Sequence, residues 1–488
     1  MIDTPLVQGR HVQRAGRPTV WTLDELLQVT GGELFGRVAA DARFGRAVYP
    51  MPLVRRGDIL LHCSAGDWPR RPRKLSGQAR MTMDGLLDRA ATRRAGLVIT
   101  SDPVPDNPPL PVLRVPNSYE ALFQLAAHAR ARFAGRVISV TGTAGKSTTR
   151  DLLSALLSHR GHCVASFANW NTVEGSAMCL ASLPRDADYC VVEQSEESIR
   201  GHHGRTSLET VYPHELVVTA LGLGNLSRFP TVEALASVIA RQIERLPDDG
   251  RLFVEADAEG RGILEAAAST PVCASDGAGF GLACSDAGID GMTLRLFAGG
   301  AETVFRSHVF GDGWLRNMRM AARVAFEHGV PPEAIADTLS AMAPKARKME
   351  PVSIVVGGRS ATLIDDSYNA EERSYVSALR SFADGTRDFA KRIVIAGKIV
   401  NIEGGEEAIY GTIAKAILAD PPDRVILFGA DLEHLAAALA PSGLAVEAET
   451  PEAVVAVLED EAVDSTAILL KGSSRNTRLT ELSRLLRT

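Results

Sequence analysis

The chain has 488 residues, 45% hydrophobic and 23% charged, with a net charge of −6. At roughly 150 residues per domain this is enough for about three domains, each with its own core. The acidic balance argues against a bulk nucleic-acid binder, which carries a basic face. No apolar run reaches the ~18 residues of a membrane span, and the polar stretch Met1–Arg17 lacks the apolar core of an export signal.

Six cysteines (Cys63, Cys163, Cys179, Cys190, Cys273, Cys284) are scattered with no C-x-x-C pair. That pattern predicts buried free thiols in a reducing cytoplasm rather than a zinc site or a disulfide framework. Lysine is scarce, eight residues against 45 arginines, so each lysine, and each stretch without one, is informative.

Residues 1–135 read as a small mixed domain. Trp68–Lys74, rich in Pro and Arg, reads as an exposed loop. Asp102–Pro111 holds five prolines in ten residues, so it cannot be a central helix or strand. It joins a strand at Leu97–Thr100 to another at Val112–Val115.

From Val137 strands and helices alternate. Strands are predicted at Val137–Thr141, Tyr189–Glu193 and Leu216–Ala220, and helices at Lys146–His159 and Thr231–Leu246. His202 and His203 have no third ligand at metal spacing and read as a solvated loop. Beyond Glu350, strands at Arg392–Gly397, Val425–Gly429 and Ala467–Lys471 alternate with helices near Glu406–Leu418, Leu432–Leu439 and Pro451–Leu458. Such alternation predicts an α/β fold with mainly parallel sheets covered on both faces. The cuts fall at 1–135, 136–349 and 350–488.

The strongest chemical signal is Val140-Thr141-Gly142-Thr143-Ala144-Gly145-Lys146-Ser147-Thr148-Thr149. It follows a predicted strand and opens a predicted helix, as a phosphate-binding loop must. Glycines allow a tight turn, and the freed N–H groups at the helix start point at phosphate oxygens. Gly142, Thr143, Ala144, Gly145, Lys146, Ser147 and Thr148 are therefore nucleotide-binding candidates. Lys146 is placed on the β- and γ-phosphates, and the Ser147 hydroxyl on Mg²⁺.

Gly142 and Gly145 stand only three apart. This compact loop resembles the ATP loop of the Mur ligases, which form amide bonds in peptidoglycan synthesis. Other segments are similar to the MurF branch, in the same order along the chain. They are Asn169-Trp170-Asn171-Thr172-Val173-Glu174-Gly175, Val191-Val192-Glu193, Asn317 within Gly311 to Arg323, Ile364-Asp365-Asp366-Ser367-Tyr368-Asn369-Ala370, and Leu470-Lys471-Gly472-Ser473.

The resemblance implies a small mixed α/β N-terminal domain, a central P-loop parallel-sheet ATPase domain and a Rossmann-like C-terminal domain. It implies a cytoplasmic ADP-forming ligase, using ATP and Mg²⁺ on a small-molecule carboxylate and amine, as a monomer or homodimer. It gives Glu193, with Ser147, to the metal, and Asn317, Asp365 and Asn369 to the nucleotide. Asn169, Asn171, Arg347, Lys348 and Lys471 go to the substrate.

MurE and MurF ligases carry a carbamylated lysine on the helix after the fourth strand, and a His before it. Here the His position holds Asn225, which inherits a catalytic assignment, and the lysine position falls on Ile239. No lysine exists between Lys146 and Lys345, so no carbamate can form in that stretch of the central domain. The leading expectation is therefore a ligase acting through an acyl phosphate on a specialised substrate outside peptidoglycan synthesis. The alternatives are an orthodox UDP-MurNAc-tripeptide:D-Ala-D-Ala ligase and a non-catalytic nucleotide-binding partner.

Overall fold

The computed structural model describes residues 20–487 except 65, 70–80, 203, 223–227 and 278. Its architecture is α/β, built on three main sheets. The first has five strands in the order Glu33–Phe35, Val112–Arg114, Leu97–Thr100, Ile59–Leu61, Ala47–Val48. All its pairings are parallel except that of Glu33–Phe35 with Val112–Arg114.

The second sheet is parallel throughout, in the order Val272–Ala274, Arg251–Val254, Glu215–Val218, Arg136–Thr141, Tyr189–Glu193, Cys163–Ala165. Val137, Ile138 and Val140 are wholly buried because helices cover both faces. The strand Arg136–Thr141 lies in the middle, and the chain leaves it to build on either side. Its carboxyl end is thus a switch point, where open α/β sheets bind ligands.

The helix Lys146–Leu157 packs Leu152, Leu153, Leu156 and Leu157 on the sheet. Each such leucine contributes about 1.5–3 kcal/mol of burial.

The third sheet has the order Glu350–Val356, Arg359–Asp366, Thr466–Lys471, Lys391–Gly397, Arg424–Phe428, Ala445–Ala448. It is parallel except for its first, antiparallel edge pair.

A three-stranded antiparallel sheet, Phe280–Gly288, Gly291–Ala298 and Ala301–Ser307, was not anticipated. Its signal was present: Met292, Leu294, Leu296 and Ala298 alternate inward while Arg295 and Phe297 face out. Trp68 also departs from expectation. It is buried, 5.1 Å from both Tyr49 and Tyr119 between ring centroids, and its indole N–H donates to Ser118 Oγ at 3.2 Å. A large apolar ring with one donor is stable there because that donor is satisfied. Lys74 lies outside the described residues.

Apolar contacts and hydrogen bonds join the layers. The Trp21 indole N–H reaches the Ala181 carbonyl at 2.8 Å, and Ser182 Oγ reaches that of Ala47 at 2.9 Å. Helix Glu372–Gly385 of the third unit packs on helix Asp312–Glu327, with Tyr375, Leu379 and Phe382 in one buried cluster with Phe310, Trp314 and Met318. This docking brings the third unit over the phosphate loop.

Candidate active site

The loop after Thr141 can turn only because two positions lack a side chain. Gly142 and Gly145 have φ of 126° and 81°. A Cβ on Gly142 would meet Thr219 Oγ1 at 2.4 Å, and one on Gly145 would meet Asn317 Oδ1 at 2.1 Å. Thr219 Oγ1 sits under the turn and donates toward the carbonyls of Ala144 (2.6 Å) and Thr141 (3.0 Å). The Thr143 N–H and hydroxyl both reach the Ala220 carbonyl, at 2.8 and 3.0 Å.

The helix then begins at Gly145 with no side-chain cap. Its first N–H groups, at Lys146, Ser147 and Thr148, form an open positive end suited to an anion. Lys146 Nζ folds back onto the loop carbonyls of Gly142 and Thr143 (3.1 Å to the latter) and pairs with Glu196 at 3.3 Å. Burial works against its charge, but the carboxyls of Glu196, Glu371 and Glu193 outweigh it and hold the ammonium above its ordinary range.

Glu193 ends the neighbouring strand and is nearly inaccessible. One carboxylate oxygen accepts from Ser147 Oγ (3.1 Å) and Asn171 Nδ2 (2.9 Å), and the other from Arg150 Nη1 (2.8 Å). Arg150 is itself buried and also binds Asp151, which pairs with Lys345.

Among the described residues no three His, Cys, Asp or Glu side chains converge on a metal position. The pair that does exist, a hydroxyl and a carboxylate oxygen, fits Mg²⁺. That ion takes few protein oxygens and completes its shell with phosphates and water.

The sequence matches family models described as Mur ligase middle domain over residues 140–325 and Mur ligase, glutamate ligase domain over residues 347–474. The chain belongs to the Mur ligase family. It is 28% identical over 254 residues to the UDP-N-acetylmuramoyl-tripeptide–D-alanyl-D-alanine ligase of Mycobacterium bovis, a match covering 51% of this chain and 48% of that one. The chain thus spans about half the length of that relative. The fold is that of MurF from Acinetobacter baumannii, with a TM-score of 0.76 at 20% identity over 96% of this chain and 98% of that one. MurF from Thermotoga maritima in complex with ADP gives a TM-score of 0.69 at 17% identity, over 91% and 97%.

Within the Mur ligase frame, some of the expected residues meet at the loop and others do not. The loop residues, Glu193 and Asn171 lie together. Asn317 touches the loop itself: its Oδ1 accepts from Thr149 Oγ1 at 3.3 Å and faces Gly145. Asn169 is exposed on the same segment as Asn171.

Lys348 lies near Glu193, Asp151 and Arg150, with Nζ 5.0 Å from the Tyr368 ring centroid. Burial, and then Lys345, pull its ammonium below the ordinary lysine range. Arg347 sits 5.7 Å from the same ring and donates to Thr480 Oγ1 at 2.8 Å.

Asp365 requires correction. Strand alternation turns it into the third unit's interior. Its oxygens there accept from the Ser367 N–H (3.1 Å) and hydroxyl (2.6 Å), the Ser483 hydroxyl (2.6 Å) and Arg487 (2.7 Å). It has no free face for a nucleotide. Asp366, one residue on, points the other way and holds Lys471 Nζ at 2.6 Å. Lys471 also donates to the Asn369 carbonyl at 3.1 Å, while Asn369 itself is exposed. The buried Lys471 is thus engaged within its own unit.

Asn225 lies outside the described residues. Ile239 is wholly buried on the stripe of Val232, Leu235, Ala236 and Ile243, so that helix position packs rather than ligates. Sequence reasoning missed Glu196 and Glu371, which flank Lys146. Glu196 was signalled by its place three residues after Glu193, and Glu371 by directly following the Asp365–Ala370 segment.

Proposed function

We propose that this protein is a cytoplasmic, ATP-dependent, ADP-forming ligase that joins a carboxylate to an amine through an acyl phosphate, in the manner of MurF. The observation that carries the reading is the uncapped helix start holding Lys146 and Ser147, with Glu193 3.1 Å from the Ser147 hydroxyl. In this reading a substrate carboxylate oxygen bonds to the γ-phosphorus as ADP leaves. The amine then attacks the acyl carbon, inorganic phosphate departs and the nitrogen loses a proton.

Lys146 and the helix N–H groups hold the phosphoryl charge. Ser147 and Glu193 would hold Mg²⁺, which supplies charge neutralisation when bound. Asn171 and Arg150 orient the Glu193 carboxylate. The docked third unit excludes water from an intermediate that water would destroy.

The named relatives make UDP-MurNAc-tripeptide and D-Ala-D-Ala the first substrate pair to assign. A second reading, a specialised carboxylate outside peptidoglycan synthesis, is favoured by Ile239 standing where the resemblance places the carbamylated lysine. Small-molecule partners and a monomeric or homodimeric state belong to the same proposal.

The test is ADP formation by purified protein with that pair, then with a panel of other carboxylates and amines. Turnover with the pair assigns the MurF reaction, and turnover only with another pair assigns the specialised one. Lys146→Ala should lower turnover by about 10²–10³ fold, the usual cost of one key charge donor. Unchanged ATP consumption in Lys146→Ala would contradict the assigned loop.

A further inference from the structure

The third unit carries to the phosphate loop a cation that the reaction above does not use. Arg373 stands in the first turn of helix Glu372–Gly385, a turn fixed by a capping box between Glu371 and Ser374. Tyr375, Leu379 and Phe382 of the same helix pack on the central unit, so the position of Arg373 is set by the docking.

Its side chain lies along the rim of the loop. Arg373 Nη1 donates to the Leu221 carbonyl at 2.5 Å. The preceding carbonyl, that of Ala220, accepts from the Thr143 N–H and hydroxyl at 2.8 and 3.0 Å. Consecutive carbonyls of one segment thus hold the loop and the arginine. A Cβ on Gly222 would lie 3.1 Å from Arg373 Cβ, 3.5 Å from its Cδ and 3.7 Å from Thr143 Oγ1. Arg373 and the loop therefore meet over one residue that has no side chain.

Among the described residues the Leu221 carbonyl is the one hydrogen-bond partner of this guanidinium, which has five N–H groups to give. The Asp257 carboxylate feels its charge but is already held by Arg316 Nη1 at 2.7 and 2.9 Å. A neutral carbonyl is a weak acceptor beside a phosphate, whose bonds to arginine are charge-assisted and bidentate. The loop's own cation is shared as well: Lys146 Nζ pairs with Glu196 at 3.3 Å. A transferring phosphoryl group spreads its charge over three oxygens, and an arginine brought from a second element is a recurring answer to it.

We propose that Arg373 exchanges the Leu221 carbonyl for the terminal phosphate of the nucleotide and holds that phosphoryl group during transfer. The inference rests on the reading of residues 142–148 as the ATP loop. It adds no step to the reaction: the bonds to phosphorus form and break as given above, and the guanidinium keeps its proton throughout.

The experiment is calorimetric titration of the full chain with Mg²⁺ and either adenylyl imidodiphosphate or ADP, which lacks the phosphate in question. Wild type, Arg373→Met and Arg373→Lys are compared, with thermal melts of the same samples to establish folding. Arg373→Met should bind the analogue about ten- to a hundredfold more weakly, the usual worth of hydrogen bonds to a charged group, and should bind ADP as wild type does. Arg373→Lys keeps the charge without the planar fork and should fall between the two.

Equal losses for both ligands would make Arg373 a docking latch, and an unchanged affinity for the analogue would leave it no part in binding; either result overturns the inference. Should Arg373→Met not fold, Arg373→Lys decides by the same comparison: a loss confined to the analogue supports the inference, and an equal loss or none overturns it. Failure of wild type to bind either nucleotide is a different outcome, which would sink the loop assignment itself and the inference with it.

Discussion

Asn317 and Gly145 lie face to face: the Asn317 side-chain oxygen is 2.1 Å from the position a Cβ on Gly145 would occupy. The same oxygen accepts from Thr149 one turn into the loop helix. The helix Asp312–Glu327 therefore braces the phosphate loop from outside, at a point where φ is 81° and only glycine is unstrained.

Gly145→Ala should fail on both counts. Backbone strain alone costs about 1–3 kcal/mol, and the collision displaces Asn317. A lowered melting temperature together with lost nucleotide binding is expected, read by thermal melts with and without ATP and Mg²⁺. Wild-type ATP stabilisation in this variant would show that the brace is unimportant.

Asp365 and the phosphate loop are separable. Asp365→Ala leaves two buried hydroxyls without their acceptor and Arg487 with Glu350 alone. The loss should be about 2 kcal/mol, below the usual figure for a broken buried pair because Arg487 is partly exposed. The folded fraction should bind nucleotide as wild type does. Urea melts and ATP titration of the same sample decide it; a large affinity loss at unchanged stability would return Asp365 to the site.

Acid should destabilise the central unit through Glu215. Burial raises this carboxyl, but His328 (2.8 Å) and Arg136 (3.2 Å) more than compensate, and it sits below its ordinary value of 4.5. A depressed carboxylate adds stability above its unfolded value and loses it as pH falls through the folded one. Stability should therefore decline below about pH 4.5, and Glu215→Gln should flatten that decline while lowering stability at neutral pH. An acid limb identical in the variant would rule Glu215 out as its source.

Bicarbonate should not activate the proposed turnover. The segment between Lys146 and Lys345 has no amine to carbamylate, and Ile239 is packed in an apolar stripe. Turnover measured in degassed buffer and with added bicarbonate should agree. Clear activation would mean that a lysine elsewhere, such as Lys348 beside Glu193, takes that part.

Much of the fold was legible because its strands are buried on both faces and its turns are marked by glycine and proline. The strands Leu97–Thr100 and Tyr189–Glu193 match their predicted spans. The sheet at 280–307 was not read, although its inward residues alternate, because small and polar residues dilute the pattern.

The loop and Glu193 could be placed together because each lies at the carboxyl end of a strand in one parallel sheet. Asp365 was misplaced because a doublet of carboxylates does not say which one faces the cleft; strand parity does, and it depends on pairing with Thr466–Lys471. Glu371 could not be found from periodicity, since its proximity to Lys146 is created by docking between two units.

The most direct test of the account uses UDP-MurNAc-tripeptide labelled with ¹⁸O in its terminal carboxylate, supplied with ATP, Mg²⁺ and D-Ala-D-Ala, and analyses the released phosphate by mass spectrometry. One ¹⁸O transferred to phosphate for each ADP formed is the predicted result. ADP formation with unlabelled phosphate would contradict phosphoryl transfer to the carboxylate.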